Sequence, residues 1–470
     1  MVNYGFVIDN RKCIGCHACT VACKSEHDVP IGVNRTHVKY IEKGTYPDVT
    51  REFSVHRCNH CEDSPCTKIC PTTALFTRED GIVDFDDDRC IGCKSCMQAC
   101  PYDALYIDPN KGTAAKCNYC AHRIEHSYEP SCVIVCPTEA IISGDLDDPN
   151  SSISGYLTEH ETTVRKPESG AKPNVFYVET SEDSLDPHAT ERSGEYLWTD
   201  QAAGVGHFAK YADKRAGAAD TQSMIIQLAL EKKARAAAPR DQAIIRDVMS
   251  KLEEDAGKPK RSYDQPSKGV LWGWEVSAYI MTKAIASGTY LVAMAMMLSG
   301  MLEMTDEMWW QLIIGCTAFL GITGVLLVMD LDRPERFLYV MLRPNWDSWL
   351  VKGAYILAGF GGILACSGAV LLFDMDRVYL EYLAYAGVPL AVLTGVYTAW
   401  LLGQARGRSW SEDRFLTAKM LVEMLVAGAA GLILLASSGI LSMVIAVVML
   451  AVVSKHAHDT VIKPQLETLH

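Results

Sequence analysis

The chain has 470 residues, 18 of them cysteine, with 49% hydrophobic residues and a formal net charge of −13. The length allows two or three domains, and the acidic balance excludes a nucleic-acid partner, which needs a concentrated basic surface. Sixteen cysteines fall before residue 140, so the averages conceal two unlike halves.

The N-terminus, Met1 to Phe6, lacks the basic stretch, long apolar core and twin-arginine pattern of an exported chain. Thiols kept in a reducing compartment do not form a disulfide framework, so ligation is the expected role of the clustered cysteines.

Cys13, Cys16, Cys19 and Cys23 are spaced C-x2-C-x2-C-x3-C. Cys58, Cys61, Cys66 and Cys70 follow, then Cys90, Cys93, Cys96 and Cys100 in the first spacing, and finally Cys117, Cys120, Cys132 and Cys136. Three cysteines at two-residue gaps on a tight loop reach three irons of a cubane cluster, and the fourth ligand comes from elsewhere. In two-cluster ferredoxins the distal cysteine of each motif ligates the other cluster and a following proline turns the chain away. Pro71, Pro101 and Pro137 stand at that position, whereas Lys24 follows Cys23. Zinc also takes four cysteines, but its sites usually separate two C-x2-C pairs by a dozen or more residues. His17, His56, His60 and His122 lie among the motifs. Each motif already supplies four thiolates, so these histidines are expected to bond cluster sulfurs or pack beside them rather than ligate iron.

Four stretches, Cys13 to Cys19 (CIGCHAC), His56 to Cys61 (HRCNHC), Gly144 to Pro149 (GDLDDP) and Lys172 to Tyr177 (KPNVFY), carry a resemblance. They look like the four-cluster electron-transfer subunits that accompany molybdopterin oxidoreductases such as polysulfide reductase, formate dehydrogenase and nitrate reductase. The resemblance covers about residues 4–180 and implies two ferredoxin-like modules, one from the first and fourth groups, the other from the second and third. Carried over by motif position, it implies one 4Fe-4S cluster on Cys13, Cys16, Cys19 and Cys136 and a second on Cys23, Cys117, Cys120 and Cys132. A third would take Cys58, Cys61, Cys66 and Cys100, and a fourth Cys70, Cys90, Cys93 and Cys96.

Residues 181–268 read as a linker without cysteine or membrane span. Two amphipathic helices are expected in it, over 220–238 before Pro239 and over 240–256 before Gly257, either packed against the adjoining domain or docking a partner or membrane surface.

From Trp272 the composition turns apolar, and six runs are long enough to cross about 30 Å of hydrocarbon. They are 276–302, 309–329, 350–373, 380–402, 417–436 and 439–456, the last two joined by a tight hairpin at Ala436 to Gly439. Lysine and arginine accumulate before the first run, between the second and third, between the fourth and fifth and after the sixth, leaving only Arg377 on the other side. By the positive-inside rule, this places the cysteine-rich head and both termini on the cytoplasmic face of the membrane. Cys316 and Cys366, inside runs, are read as packing residues.

A b-type haem needs axial histidines on facing helices, and residues 208–455 contain no histidine, so no haem is expected. Three further stretches are similar to the NrfD-like, haem-free and quinone-reacting membrane subunit family: Tyr279 to Gly288, Asp330 to Phe337, and Tyr397 near Thr394 and Gly395. Members of that family typically have eight or more spans, so a further membrane subunit would supply the remainder. Quinone chemistry needs a proton-exchanging group beside an apolar pocket, and ionisable residues inside spans are costly. Lys283 and Glu423 lie at similar depth, as an ion pair or proton-handling pair near the quinone or as a packing pair only. The resemblance adds Asp330, as a quinone contact or a solvated helix-end residue, and Tyr279.

The expected fold is therefore an α+β ferredoxin-like double module (1–180), a linker (181–268) and an all-α transmembrane bundle (269–470). The expected function is electron transfer through four 4Fe-4S clusters between a cytoplasmic catalytic subunit, of molybdopterin type, and membrane menaquinone or ubiquinone. A proton-translocating module like alternative complex III, and a membrane-anchored ferredoxin adaptor without quinone chemistry, are the rival readings.

Overall fold

The computed structural model describes residues 2–45, 47–186, 190–192, 258–265, 268–436 and 440–466. The helices expected over 220–238 and 240–256 lie outside these residues. In the head, β1 (Tyr4–Asp9) pairs antiparallel with β8 (Ile141–Asp145) and parallel with β10 (Val175–Val178), whose other neighbour is β9 (Thr162–Thr163). A second sheet has the order β11 (Glu191–Arg192), β12 (Lys260–Tyr263), β2 (His37–Thr45) and β3 (Asp48–His56). Two small hairpins, β4 (Leu75–Thr77) with β5 (Val83–Phe85) and β6 (Tyr106–Ile107) with β7 (Ala114–Ala115), complete the strands. Phe6, Ile8, Val38, Val55, Tyr119 and Tyr177 form the core between the two larger sheets.

The repeated C-I-G-C sequence folds the same way twice. Gly15 (φ 68°) and Gly92 (φ 69°) take the left-handed conformation, as do His17 (φ 58°) and Lys94 (φ 60°) two residues later. Each left-handed residue then starts a short helix, Ala18–Glu26 or Ser95–Ala99. Glycine is needed at residue 92 because a Cβ there would stand 2.7 Å from Cβ of Asp332 and 2.8 Å from the Gly112 carbonyl.

Strand β12 lies in the region expected to be linker. It is held to β2 by Asp264, whose carboxylate lies 3.0 Å from Lys39 Nζ and 2.7 Å from Arg261 Nη1. All three side chains are at most 1% exposed. Asp264→Ala leaves two buried cations without their carboxylate, and we expect it to cost about 3–5 kcal/mol. The check is the denaturant midpoint of the purified protein, and an unchanged midpoint would contradict this account of the clasp.

Six helices are long and apolar enough to cross a membrane: Trp274–Leu298, Asp306–Met329, Trp349–Leu372, Val378–Gly403, Leu416–Ala436 and Ile440–Leu466. The first ends at Leu298, not 302, because Gly300 turns left-handed (φ 74°). The sixth runs ten residues beyond the expected 456, to Leu466. Its extra turns carry Gln465, which is buried and bonds Trp272 and Gln98. Residues 437–439, in the expected hairpin, lie outside the described part.

Span one is the central helix, with 61% of its apolar window buried against 17% for span six. It meets span five where Gly288 faces Gly428, and a Cβ on Gly288 would stand 2.0 Å from the Met424 carbonyl. Cys316 is buried in the bundle, whereas Cys366 faces outward.

Candidate functional site

The sixteen head cysteines stand in four groupings. Cys13, Cys16, Cys19 and Cys136 line one cavity of about 330 Å³, and Cys70, Cys90, Cys93 and Cys96 line another of about 380 Å³. Cys58, Cys66 and Cys100 surround Cys61, and Cys117, Cys120 and Cys132 surround Cys23. Adjoining groupings are near enough for their sulfurs to feel one another's charge, Cys19 with Cys132, Cys58 with Cys117, and Cys66 with Cys70. The result is a continuous file of sulfur across the head. Cys16, at one end, is exposed.

These thiols are poor anions by themselves. Burial, with the charge of neighbouring sulfurs, pushes Cys19, Cys58 and Cys120 up to about 11 and Cys93 up to about 12. A coordinating cation removes that penalty by deprotonating the thiol outright. Among the described residues no three ligating side chains converge as one metal ion requires. Four thiols ringing a cavity suit a larger inorganic group.

Backbone amides aim at the sulfurs as well: Gly92 N at 3.4 Å and Ala114 N at 3.3 Å donate to Cys90 Sγ, and Ala140 N at 3.3 Å to Cys136 Sγ. Of the histidines expected to bond the sulfurs or pack beside them, His17 lines the cavity of Cys13, Cys16, Cys19 and Cys136, while the other three direct their hydrogen bonds elsewhere. His56 bonds Ser54 and Arg165, His60 accepts from Val83 N, and His122 pairs with Glu26. His17 packs against Tyr40 and Tyr263. Instead, Nε2 of His27 lies 3.2 Å from Cys120 Sγ, and Arg57 Nη1 lies 3.3 Å from Cys132 Sγ. Neither residue stands inside a C-x2-C gap, so spacing offers no signal for them.

The Cys90 to Cys96 loop rests on the membrane helices. Lys94 Nζ donates to the Asp330 carbonyl at 2.9 Å and faces Asp332 Oδ1 at 3.5 Å. Trp272 Nε1 donates to the Cys93 carbonyl at 3.1 Å, and Asn345 Nδ2 to the Cys70 carbonyl at 2.7 Å. Arg336 reaches the carbonyls of Asp87 and Cys90, while Arg406 pairs with Asp63 and Arg408 bonds Gln98. Several of the arginines that mark one side of the bundle therefore hold the head.

Beneath this loop lies a mainly apolar cavity of about 1170 Å³, its open mouth included. Cys93 forms part of its wall, and Tyr279, Asp330 and Tyr397 supply polar groups among Leu327, Leu357 and Leu401. Tyr279 and Asp330, reached from motif resemblance, are thus brought together. Trp272 and Cys93 complete the wall, and only their position at the domain boundary could have suggested it.

Lys283 and Glu423 do not form the expected ion pair. Lys283 is fully buried and donates to the carbonyls of Thr394 (3.3 Å) and Gly395 (3.0 Å) and to Thr398 Oγ1 (2.5 Å), with Nζ 4.4 Å from the Tyr397 ring centre. Glu423 instead pairs with His456 Nε2 at 3.0 Å. Counting along a helix gives a residue's depth, but not the direction its side chain takes around the axis.

The family models for a 4Fe-4S dicluster domain and a 4Fe-4S binding domain match residues 49–146 and 11–26, and that for polysulphide reductase, NrfD, matches 264–440. A polysulfide reductase chain of Wolinella succinogenes is 44% identical over 178 residues, 37% of this chain and 93% of that protein. A tetrathionate reductase subunit of Salmonella typhimurium is 45% identical over 179 residues, 37% of this chain and 72% of that protein. Protein NrfC of Escherichia coli is 43% identical over 180 residues, 38% of this chain and 81% of that protein. The sulfur file and the first five membrane-capable helices fall in the matched regions. The chain belongs to the family of 4Fe-4S electron-transfer subunits of reductase complexes, joined in one polypeptide to a multi-pass NrfD-type membrane domain.

Proposed function

We propose that this chain carries four 4Fe-4S clusters and passes electrons between a catalytic subunit of molybdopterin type and a membrane quinone. The observation that carries the reading is the apolar cavity whose wall contains Cys93, from the last sulfur grouping, together with Tyr279, Asp330 and Tyr397. The ligand sets are Cys13, Cys16, Cys19 and Cys136; Cys23, Cys117, Cys120 and Cys132; Cys58, Cys61, Cys66 and Cys100; and Cys70, Cys90, Cys93 and Cys96. The two cysteine-lined cavities and the neighbours of Cys61 and Cys23 support them. Each bound cluster supplies one-electron oxidation and reduction.

The protein's own residues do the rest. The Cys93 loop brings the last ligand set against the cavity, and Leu327, Leu357 and Leu401 exclude water from it. Tyr279 holds an exchangeable proton at its wall and the Asp330 carboxylate can accept and pass one on, where a quinone reduced by two electrons must take up two. Lys283 stands behind Tyr397 and Thr398, and Glu423 pairs with the more exposed His456, ten residues before the end of span six. His456 is 51% exposed and Glu423 10%, a gradient that suits proton entry.

The catalytic partner would dock at the far end of the file, where Cys16 is exposed. The head and both termini are assigned to the cytoplasmic face of the inner membrane on the basic loops. Iron and acid-labile sulfide analysis tests the cluster count: the proposal expects about sixteen of each per chain, with menaquinone or ubiquinone co-purifying. About eight of each, or no quinone, would contradict it.

A further inference from the structure

Arg57 has no use in the function described so far, yet it occupies the junction between two sulfur groupings. Its side chain is 2% exposed and lies with Cζ 4.6 Å from the centre of the Phe6 ring. Nη1 donates to Cys132 Sγ at 3.3 Å, while Nε and Nη2 are buried without a hydrogen-bond partner. The charges acting on it are the sulfurs of Cys132, Cys117 and Cys19. Asp103, the carboxylate lining the small polar cavity that Arg57 borders, is held by Lys268 at 2.8 Å.

A guanidinium is always protonated, and burying one costs several kcal/mol unless an opposite charge lies close. Among the described residues, the charges that act on it are those of the thiolates, to which any group they bind would add. Of the other deeply buried cations nearby, Lys116 donates to the carbonyls of Val83 and Cys117, Arg165 bonds His56 and Leu185, and Lys39 pairs with Asp264. Arg57 is therefore the cation that reaches a ligand atom directly.

We propose that Arg57 is a potential-setting residue, whose buried charge and bond to Cys132 raise the reduction potential of the cluster held by Cys23, Cys117, Cys120 and Cys132. Reduction adds one negative charge to that cluster. A fixed cation at its edge stabilises the reduced form more than the oxidised one, and a hydrogen bond to a ligand sulfur acts in the same direction. The proposal rests on the ligand sets given above. It concerns the second cluster in the file, so it biases where an electron pauses between the catalytic subunit and the membrane.

The test is an EPR-monitored potentiometric titration of the purified full-length protein. Arg57→Gln is expected to lower the potential of one cluster by at least 59 mV, a tenfold change in its reduced-to-oxidised ratio at fixed potential. Arg57→Lys, which keeps the charge, stays within that tenfold of the unsubstituted protein. Arg57→Gln with full iron content and every potential unmoved overturns the proposal. Should Arg57→Gln fail to assemble, pulsed EPR of the unsubstituted protein grown on isotope-labelled arginine decides. Hyperfine coupling from arginine nitrogen to one reduced cluster is expected, and its absence refutes the contact. Iron and sulfide analysis, by contrast, tests the cluster count on which the proposed function rests, so the two readings fail separately.

Discussion

Cys93→Ser is expected to reduce electron transfer between head and quinone to background and to remove about four of sixteen irons. Cys93 has this weight because it borders two cavities, that of the last sulfur grouping and the apolar one beneath it. The substitution puts a hydroxyl, a far weaker acid and a harder ligand than iron–sulfur clusters select, where a thiol already needs a cation to ionise. The other groupings keep their ligands, so a reductant added at the Cys16 end still fills three clusters. Electrons then stop one position short of the membrane. Iron content with cluster EPR, and quinone reduction measured on the same sample, check this. Full quinone activity with the fourth cluster missing would show that the Cys93 loop is not the exit.

Lys283→Met is expected to lower quinone turnover by about 10²- to 10⁴-fold, the range of a positioned acid or base, with all clusters in place. The structure separates this outcome from a packing role. Lys283 forms no carboxylate pair; its ammonium rests on two main-chain carbonyls and Thr398. Replacing a lone buried charge by an apolar side chain of similar length removes its desolvation cost, which offsets the loss of its hydrogen bonds to Thr398 and two helix carbonyls. A purely structural lysine would thus leave turnover intact, whereas a proton-handling one loses turnover while the unfolding midpoint holds. Steady-state quinone reduction and thermal unfolding in detergent distinguish the two.

The cluster chemistry is legible in the sequence because its determinants are local. Three cysteines and a glycine in C-I-G-C-x2-C fix a loop within seven residues, and both copies adopt the same left-handed turns at Gly15 and His17 and at Gly92 and Lys94. The spans are legible for a similar reason, since hydropathy integrates over some 20 residues; it loses only the polar last turns of span six, ten residues past the apolar run. What joins distant segments is not legible. Strand β12 finds β2 across more than 200 residues of chain, and Lys94 finds Asp330 across 236. Neither shows a pattern along the sequence.

Two differences between expectation and structure have physical causes. Lys283 and Glu423 share a depth, but depth says nothing about rotation; Glu423 turns to His456, on a span longer than its apolar run. The four motif histidines flank cysteines, and His17 does line the first cysteine cavity, but His56, His60 and His122 spend their hydrogen bonds on other partners. The loop arginines have a second explanation too. Arg336, Arg406 and Arg408 hold the head, so docking as well as membrane orientation calls for them on that side.

If electrons leave the sulfur file into a quinone bound in the cavity beneath Cys93, as proposed, filling that cavity must slow their exit. Stopped-flow reoxidation of the chemically reduced protein by a soluble naphthoquinone tests it most directly, using Ala358→Trp to fill the cavity from span three. The account predicts rapid oxidation of all clusters in the unsubstituted protein and at least about a tenfold slowing in Ala358→Trp with iron content unchanged. Equal rates in the two proteins would contradict it.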